Sequence, residues 1–175
     1  MASPTIDQER NAALIAWYGT HGRPLPWRLQ PHPYRTLVSE IMCQQTQAER
    51  VIPFYERFIA RFPSVDALAE APLKDVIALW NGLGYNARAK RLHEAAQHLA
   101  TEGWPDDVAG LERLPGIGPY TARAVAALSF GTHVAAVDTN LRRVLSRWHG
   151  EELDAAGLEH AAETALAEAD AATWN

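Results

Sequence analysis

Within this chain of 175 residues, the segment Leu111–Arg123, LERLPGIGPYTAR, joins two helical stretches through a short turn punctuated by Gly116 and Gly118. Glycine reaches backbone torsions that other residues resist, so the consecutive N–H groups of Gly116, Ile117 and Gly118 are free to point outward. They fall at the start of the following helix, where the helix dipole favours an anion. A phosphate of a DNA backbone fits such a cradle, held without any reading of base sequence. A plain helix–helix turn accounts for the same residues equally well. The basic runs Arg88-Ala-Lys90-Arg91 and Arg142-Arg143…Arg147 are compatible with a phosphate-binding face, although charge alone favours solvated helix faces. Two carboxylates stand in notable places. Glu40 lies on the flank of an amphipathic helix, by spacing a solvated position, and Asp138 directly precedes a helix, where aspartate is a common cap. Cys43, the single cysteine, reads as a small buried hydrophobe.

The elements that must position these residues are helices, and strand signals are almost absent. Thr5-Ile-Asp-Gln8 is a capping-box pattern that opens a first helix running to about Tyr18 and stopping near Gly19. Four prolines between His21 and Pro33 predict an irregular connection. Pro33 suits the first turn of a second helix over 33–46, with Tyr34, Leu37, Val38 and Ile41 as its apolar stripe. Further helices are expected over 48–61 (with Pro53 tolerable only near the start), 66–70, from Pro72 to Gly82-Leu-Gly84, 86–101, 107–113, 119–130, 139–149 and 155–171. The chain is therefore expected to be all-α.

Composition bounds the rest. The chain is 47% hydrophobic and 21% charged, as in ordinary folded proteins. One cysteine excludes an internal disulfide framework, a Cys-rich zinc site and a self-contained iron–sulfur cluster. No apolar run is long enough to span a membrane, and MASPTIDQER has neither a basic nor an apolar signal region, so a cytoplasmic protein is expected. The net charge of −5 is unevenly placed: residues 1–150 carry 16 basic and 14 acidic side chains, while 151–175 carry seven acids and no base.

Leu114-Pro-Gly-Ile-Gly-Pro-Tyr-Thr-Ala122, followed by Val137-Asp-Thr-Asn140 and Leu141-Arg-Arg-Val144, resembles the helix-hairpin-helix DNA glycosylase superfamily, and the likeness runs from Trp17 to Asn175. Leu25-Pro-Trp-Arg28, Val38-Ser-Glu-Ile-Met-Cys-Gln-Gln-Thr46, Val51-Ile-Pro53 and Gly82-Leu-Gly-Tyr85 narrow it to the adenine glycosylases of the MutY type. Members of that group remove undamaged adenine mispaired with 8-oxoguanine. The resemblance implies a helix-hairpin-helix glycosylase fold: a six-helix barrel-like domain over residues 22–133, and a second, discontinuous and incomplete helical domain from residues 1–21 and 134–175. DNA would enter the cleft between them.

The same resemblance assigns roles. Hydrolysis of the N-glycosidic bond needs a protonated purine and a stabilised oxocarbenium-like sugar, which two carboxylates supply from opposite sides. Glu40 becomes the general acid and later the base for water. Asp138 stabilises the transition state or a covalent intermediate, with Asn140 supporting it. Tyr120 stands where bifunctional, endonuclease III-like relatives carry a Schiff-base lysine, and the only lysines here, Lys74 and Lys90, lie elsewhere. A thymine-mismatch relative shares the hairpin tyrosine but has RR in place of Gln44-Gln45. Gln45, with Thr46 beside it, matches the wedge that fills the gap left by an extruded nucleotide, and Tyr85 an aromatic beside the opposite base. Arg23, Trp27 and Arg28 match the lining of the adenine pocket.

The implied partner is duplex DNA carrying A·8-oxoguanine or A·G mispairs, engaged by a monomer. The implied cofactor is a 4Fe–4S cluster in the full-length protein, with no metal ligands in this chain, because the likeness ends at Ala172-Thr-Trp-Asn175 where the family's cluster segment would follow. A truncated form of the enzyme is therefore expected. Two other readings stay open: a non-catalytic DNA-binding helix-hairpin-helix fragment, and an endonuclease III-like glycosylase/lyase, which Tyr120 and Glu40 speak against.

Overall fold

The computed structural model describes residues 6–29, 31–166 and 169–175. The capping residue Thr5 and the tail acid Glu168 lie outside them. Twelve helices follow one another among the described residues: α1 (Ile6–His21), α2 (Pro26–Leu29), α3 (Pro33–Cys43), α4 (Ala48–Arg61), α5 (Val65–Ala69), α6 (Leu73–Trp80), α7 (Ala87–Glu102), α8 (Val108–Glu112), α9 (Pro119–Phe130), α10 (Thr139–His149), α11 (Ala155–Leu166) and α12 (Ala171–Trp174). The all-α expectation holds, and no helix among them is long and apolar enough to cross a membrane.

Local chemistry explains most boundaries. Pro33 occupies the first turn of α3, while His32 Nδ1 accepts a hydrogen bond from Tyr34 N at 3.3 Å. Ser64 Oγ accepts from Ala67 N at the start of α5, and Asp107 Oδ1 from Gly110 N at the start of α8. Gly131 and Gly150 take left-handed torsions to close α9 and α10. Pro53 sits inside α4, in its second turn, where it removes one ladder donor.

Four boundaries differ from expectation. Helix α1 continues through Gly19, where it was expected to stop, to His21. The proline-rich connection holds a one-turn helix, α2, because Pro26 at its first position presets the helical φ. The helix predicted over 33–46 ends at Cys43, since Gln45 turns to φ +57°. In place of one helix over 155–171 the described residues hold α11 (Ala155–Leu166) and then α12, which Asp170 starts by accepting from Thr173 N at 2.8 Å.

The buried apolar residues form two groups. The larger gathers Tyr34, Leu37, Val38 and Ile41 of α3 with Phe58, Trp80, Leu92 and Leu111. Tyr34 OH donates to Phe62 O at 2.8 Å, giving that buried polar tip a partner. The smaller gathers Leu145, Leu158, Ala162 and Leu166 with Ala127. Helix α9 serves both, presenting Ala122 and Val125 to the first and Ala127 to the second. Its Arg123 also pairs with Glu159 of α11. Glu40 therefore stands at the end of a helix fixed in the larger core, facing elements that belong to the smaller one.

Candidate active site

Glu40 lies in the last turn of α3 and lines a cavity of about 450 Å³. Trp17 of α1, Trp27 and Arg28 of α2, Tyr120 of α9 and Trp174 of α12 share its wall. The flank position that helix spacing assigns to solvent is thus roofed over by α1 and α12. Burial raises the Glu40 carboxyl to a pKa of about 7, because it penalises the charged form more than the Tyr120 hydrogen bond and the Arg28 charge favour it. The nearby Asp138 carboxylate pushes in the same direction as burial. The Tyr120 phenol is driven upward by burial and by both carboxylates, so it keeps its proton and donates to Glu40. At neutral pH Glu40 exists in both forms, the condition for a group that gives a proton and takes one back.

Asp138 is the N-cap of α10. Its Oδ1 accepts from Leu141 N at 2.7 Å, and its Oδ2 accepts from Asn140 Nδ2 at 2.9 Å. Capping thus orients the carboxylate and leaves it half-buried within electrostatic reach of Glu40. The extended segment leading to it is held by Asn175, whose Nδ2 donates to Val134 O at 3.0 Å and whose Oδ1 accepts from Ala136 N.

Trp27 is buried, edge-on to Tyr55, and lines the cavity, as does Arg28, whose guanidinium also lies over the Tyr18 ring at 5.4 Å. Arg23 is placed differently. It is exposed and paired with Glu49, and it does not line the cavity. Cys43 is half-buried at the end of α3, its thiol pushed up to about 12 by burial and by the Glu40 charge, which keeps it a neutral apolar neighbour.

Gln45 and Tyr85 occupy separate turns and share a rare geometry. Both are exposed, and both hold left-handed torsions without being glycine, at φ +57° and +51°. Arg88 lies between the turns. The sequence places it in a basic run with Lys90 and Arg91, but it is only 8% exposed and faces inward. Its Nη1 donates to Ile41 O and Met42 O at 3.0 Å and to Gln44 O; its Nη2 donates to Gly84 O at 3.1 Å and to Thr46 Oγ1 at 3.3 Å. Of that run, Lys90 and Arg91 remain at the surface, Lys90 paired with Glu94.

The hairpin joins α8 to α9. Gly116 needs its φ of +78°, and a Cβ there would come within 2.7 Å of Arg91 Cβ. Ile117 turns inward and is buried, and its N–H, expected to point outward, instead donates to Leu114 O at 3.2 Å and closes the turn. Gly118 precedes α9 without any side-chain cap and with open space beside its Cα; Pro119, the first residue of α9, has no N–H, so the donors left without a helical partner there are those of Tyr120 and Thr121.

Sequence reasoning did not single out Trp17, Trp174, Asn175 or Arg88. Trp17 and Trp174 look like surface aromatics at their own positions, and only tertiary packing brings them together. Arg88 carried no signal separating it from its charged neighbours. Among the described residues no group of histidine, cysteine, aspartate or glutamate is arranged to hold a metal ion.

Comparison with known proteins bears on this arrangement. The chain is 48% identical over 155 residues to an adenine DNA glycosylase of Mycobacterium tuberculosis, covering 84% of this chain and 51% of that protein. It is 40% identical over 147 residues to the human adenine DNA glycosylase, covering 77% of this chain and 27% of that protein. The chain spans about half or less of the length of the curated relatives it matches. A thermostable thymine-DNA glycosylase superposes with a TM-score of 0.86 at 26% identity, covering 97% of this chain and 82% of that one. An endonuclease III in a non-covalent DNA complex shares the fold at a TM-score of 0.75, with 20% identity over 98% of this chain and 81% of that one. Residues 38–168, which include Glu40, the hairpin and Asp138, match the HhH-GPD superfamily base excision DNA repair protein family, and the chain belongs to it.

Proposed function

We propose that this chain carries the catalytic centre of an adenine DNA glycosylase, acting on adenine opposite 8-oxoguanine or guanine in duplex DNA. One observation carries the reading: a carboxyl with a pKa of about 7 faces a partly enclosed, aromatic-lined cavity, hydrogen-bonded to Tyr120 and near a second carboxylate. The similarity to adenine DNA glycosylases supports the choice of base.

The chemistry follows from those groups. The hairpin N–H groups hold a backbone phosphate, and the target nucleotide leaves the stack to enter the cavity, with Gln45 and Tyr85 occupying the duplex it vacates. Trp27 packs against the purine and Arg28 donates hydrogen bonds to it. Neutral Glu40 gives its proton to a ring nitrogen of adenine. The C1′–N9 bond then breaks, with its electron pair leaving on the purine. Positive charge builds on the sugar, and the Asp138 carboxylate, fixed by its cap and by Asn140, stabilises it. The Glu40 carboxylate next takes a proton from water as that water attacks C1′, which restores the acid and leaves an abasic site. No lysine stands at position 120, so strand cleavage does not follow through a Schiff base. A 4Fe–4S cluster requires about four thiolates, and a chain with one cysteine does not supply them.

The test is single-turnover cleavage of an A·8-oxoguanine duplex with and without alkali. Breaks that need alkali and vanish in Glu40→Gln are expected. Breaks without alkali would point to a lyase, and DNA binding without base release to a non-catalytic module.

A further inference from the structure

Two non-glycine residues in left-handed torsions, Gln45 and Tyr85, are both exposed, Tyr85 by 65%. Such torsions persist only where the surroundings impose them. Here the imposing group is common to both. Arg88 takes the carbonyls of Ile41, Met42 and Gln44 with one guanidinium nitrogen, so the end of α3 cannot continue its helix through Gln45. With the other it takes Thr46 Oγ1, just past Gln45, and the carbonyl of Gly84, just before Tyr85. Its guanidinium also lies between the rings of Trp80 and Tyr85, at 5.6 and 5.4 Å from their centroids. Trp80 Nε1 donates to the same Gly84 carbonyl at 3.1 Å, tying the second turn to the core. Arg88 Nε is buried with no hydrogen-bond partner among the described residues, so all five of its hydrogen bonds go through the two Nη atoms to the turns. A planar fork spans two turns in this way, whereas a point charge does not.

The pair of turns is also tied to the hairpin. Gln44 Nε2 donates to Thr121 Oγ1, in the first turn of α9, at 3.4 Å, and Arg91, three residues beyond Arg88, packs its stem against Gly116. The two protruding side chains and the phosphate cradle thus share one rigid unit centred on α7.

We propose that Arg88 is the positioning residue that holds Gln45 and Tyr85 at the separation and angle needed to enter a duplex gripped at the hairpin. This rests on the glycosylase reading for its chemistry, but the opening of the duplex can be measured apart from base removal. The variants are Arg88→Lys, which keeps the charge and loses the fork, and Thr46→Val, which withdraws one acceptor outside the core. Each is assayed on a paired A·8-oxoguanine duplex and on a duplex whose adenine is already unpaired in a bulge. Extrusion is followed separately by the fluorescence of 2-aminopurine placed at the target position.

Arg88→Lys should lose about 100-fold in single-turnover rate on the paired duplex, the scale of a misplacement near 1 Å. It should lose only a few-fold on the bulge, extrude 2-aminopurine more weakly, and keep the wild-type dependence of rate on pH. Thr46→Val should repeat the pattern with a smaller loss, which covers the case in which Arg88→Lys folds poorly. Equal losses on the two duplexes, or undiminished 2-aminopurine extrusion in both variants, would overturn the proposal. Should the unaltered chain remove no adenine from either duplex, the glycosylase reading fails, and the extrusion signal alone decides the role of Arg88. Absence of extrusion by the unaltered chain would overturn both.

Discussion

A proton donor that must become a proton acceptor within one turnover is best served by a pKa near the working pH, and Glu40 reaches about 7 through burial rather than through a partner. The alkaline limb of the excision rate is therefore expected near pH 7, where the acid form is lost. Tyr120→Phe removes a hydrogen bond that favours the carboxylate, so that limb should move to higher pH, as a single-turnover pH–rate profile will read. Stability carries the same shift with a definite sign. Below the ordinary value of 4.5 both folded and unfolded chains hold the proton; between 4.5 and 7 the folded chain keeps a proton that the unfolded chain releases. Stability is thus lost as pH rises through that window. Glu40→Gln, which needs no proton there, should be more stable than the parent by on the order of 2 kcal/mol at pH 8, allowing for solvent at the partly open site. The two should unfold alike near pH 4.5 in urea titrations. Asp138 separates capping from chemistry. Asparagine caps as well as aspartate, so Asp138→Asn should keep its stability and lose excision by 100-fold or more, on the order of one electrostatic contact. Asp138→Ala should lose the excision together with about 1 kcal/mol of stability. Equal excision by Asp138→Asn and the parent would remove Asp138 from the mechanism.

At the scale of the elements, helices opened by proline, serine or aspartate and closed by glycine were legible in the sequence, as in α3, α5, α8, α9 and α10. Those punctuating residues act through their own backbone, without help from distant contacts. Where the deciding contact is remote, the sequence is silent. The end of α3 is set by Arg88, more than 40 residues away, and the separate start of α12 at Asp170 falls where the sequence predicts one continuous helix. The hairpin is the local case most open to test. Gly116 is required twice over, by a φ of +78° and by the nearness of Arg91, so Gly116→Ala should cost about 1–3 kcal/mol in urea unfolding. Gly118 has an ordinary φ of −95° and nothing beside its Cα. Gly118→Ala should fold with little loss, yet its methyl group would stand in the way of the phosphate contact proposed above, and duplex affinity at low salt should fall about tenfold, or about 1.4 kcal/mol. A duplex affinity equal to the parent's would show that phosphate does not approach the hairpin from that side.

In the whole molecule the site is a product of closure between segments far apart in sequence. Motif resemblance reaches Glu40 and Asp138 one by one, but the pKa of Glu40 depends on a cavity whose wall includes α1 and α12. Nothing in the spacing of α3 announces that cover. One buried side chain holds it in place: Asn11 Nδ2 donates to Ala165 O at 2.7 Å, and Asn11 Oδ1 accepts from Trp174 Nε1 at 2.9 Å. The amide thereby joins α1 to α11 and α12 at the cavity wall. Asn11→Ala should cost about 1–3 kcal/mol, because it leaves a carbonyl and an indole N–H without their partner in a partly buried place. Loosening that wall also lets water reach Glu40, and water stabilises the carboxylate. The pKa should therefore fall toward 4.5, drawing the alkaline limb of the excision profile to lower pH even where the variant is fully folded. The control is Arg123→Ala, which breaks the ion pair to Glu159 between α9 and α11 and leaves the cavity wall intact. That half-exposed pair should be worth under about 1 kcal/mol, with the limb unmoved. If Asn11→Ala and Arg123→Ala share one pH profile, the burial of Glu40 does not depend on the clasp between the two ends of the chain.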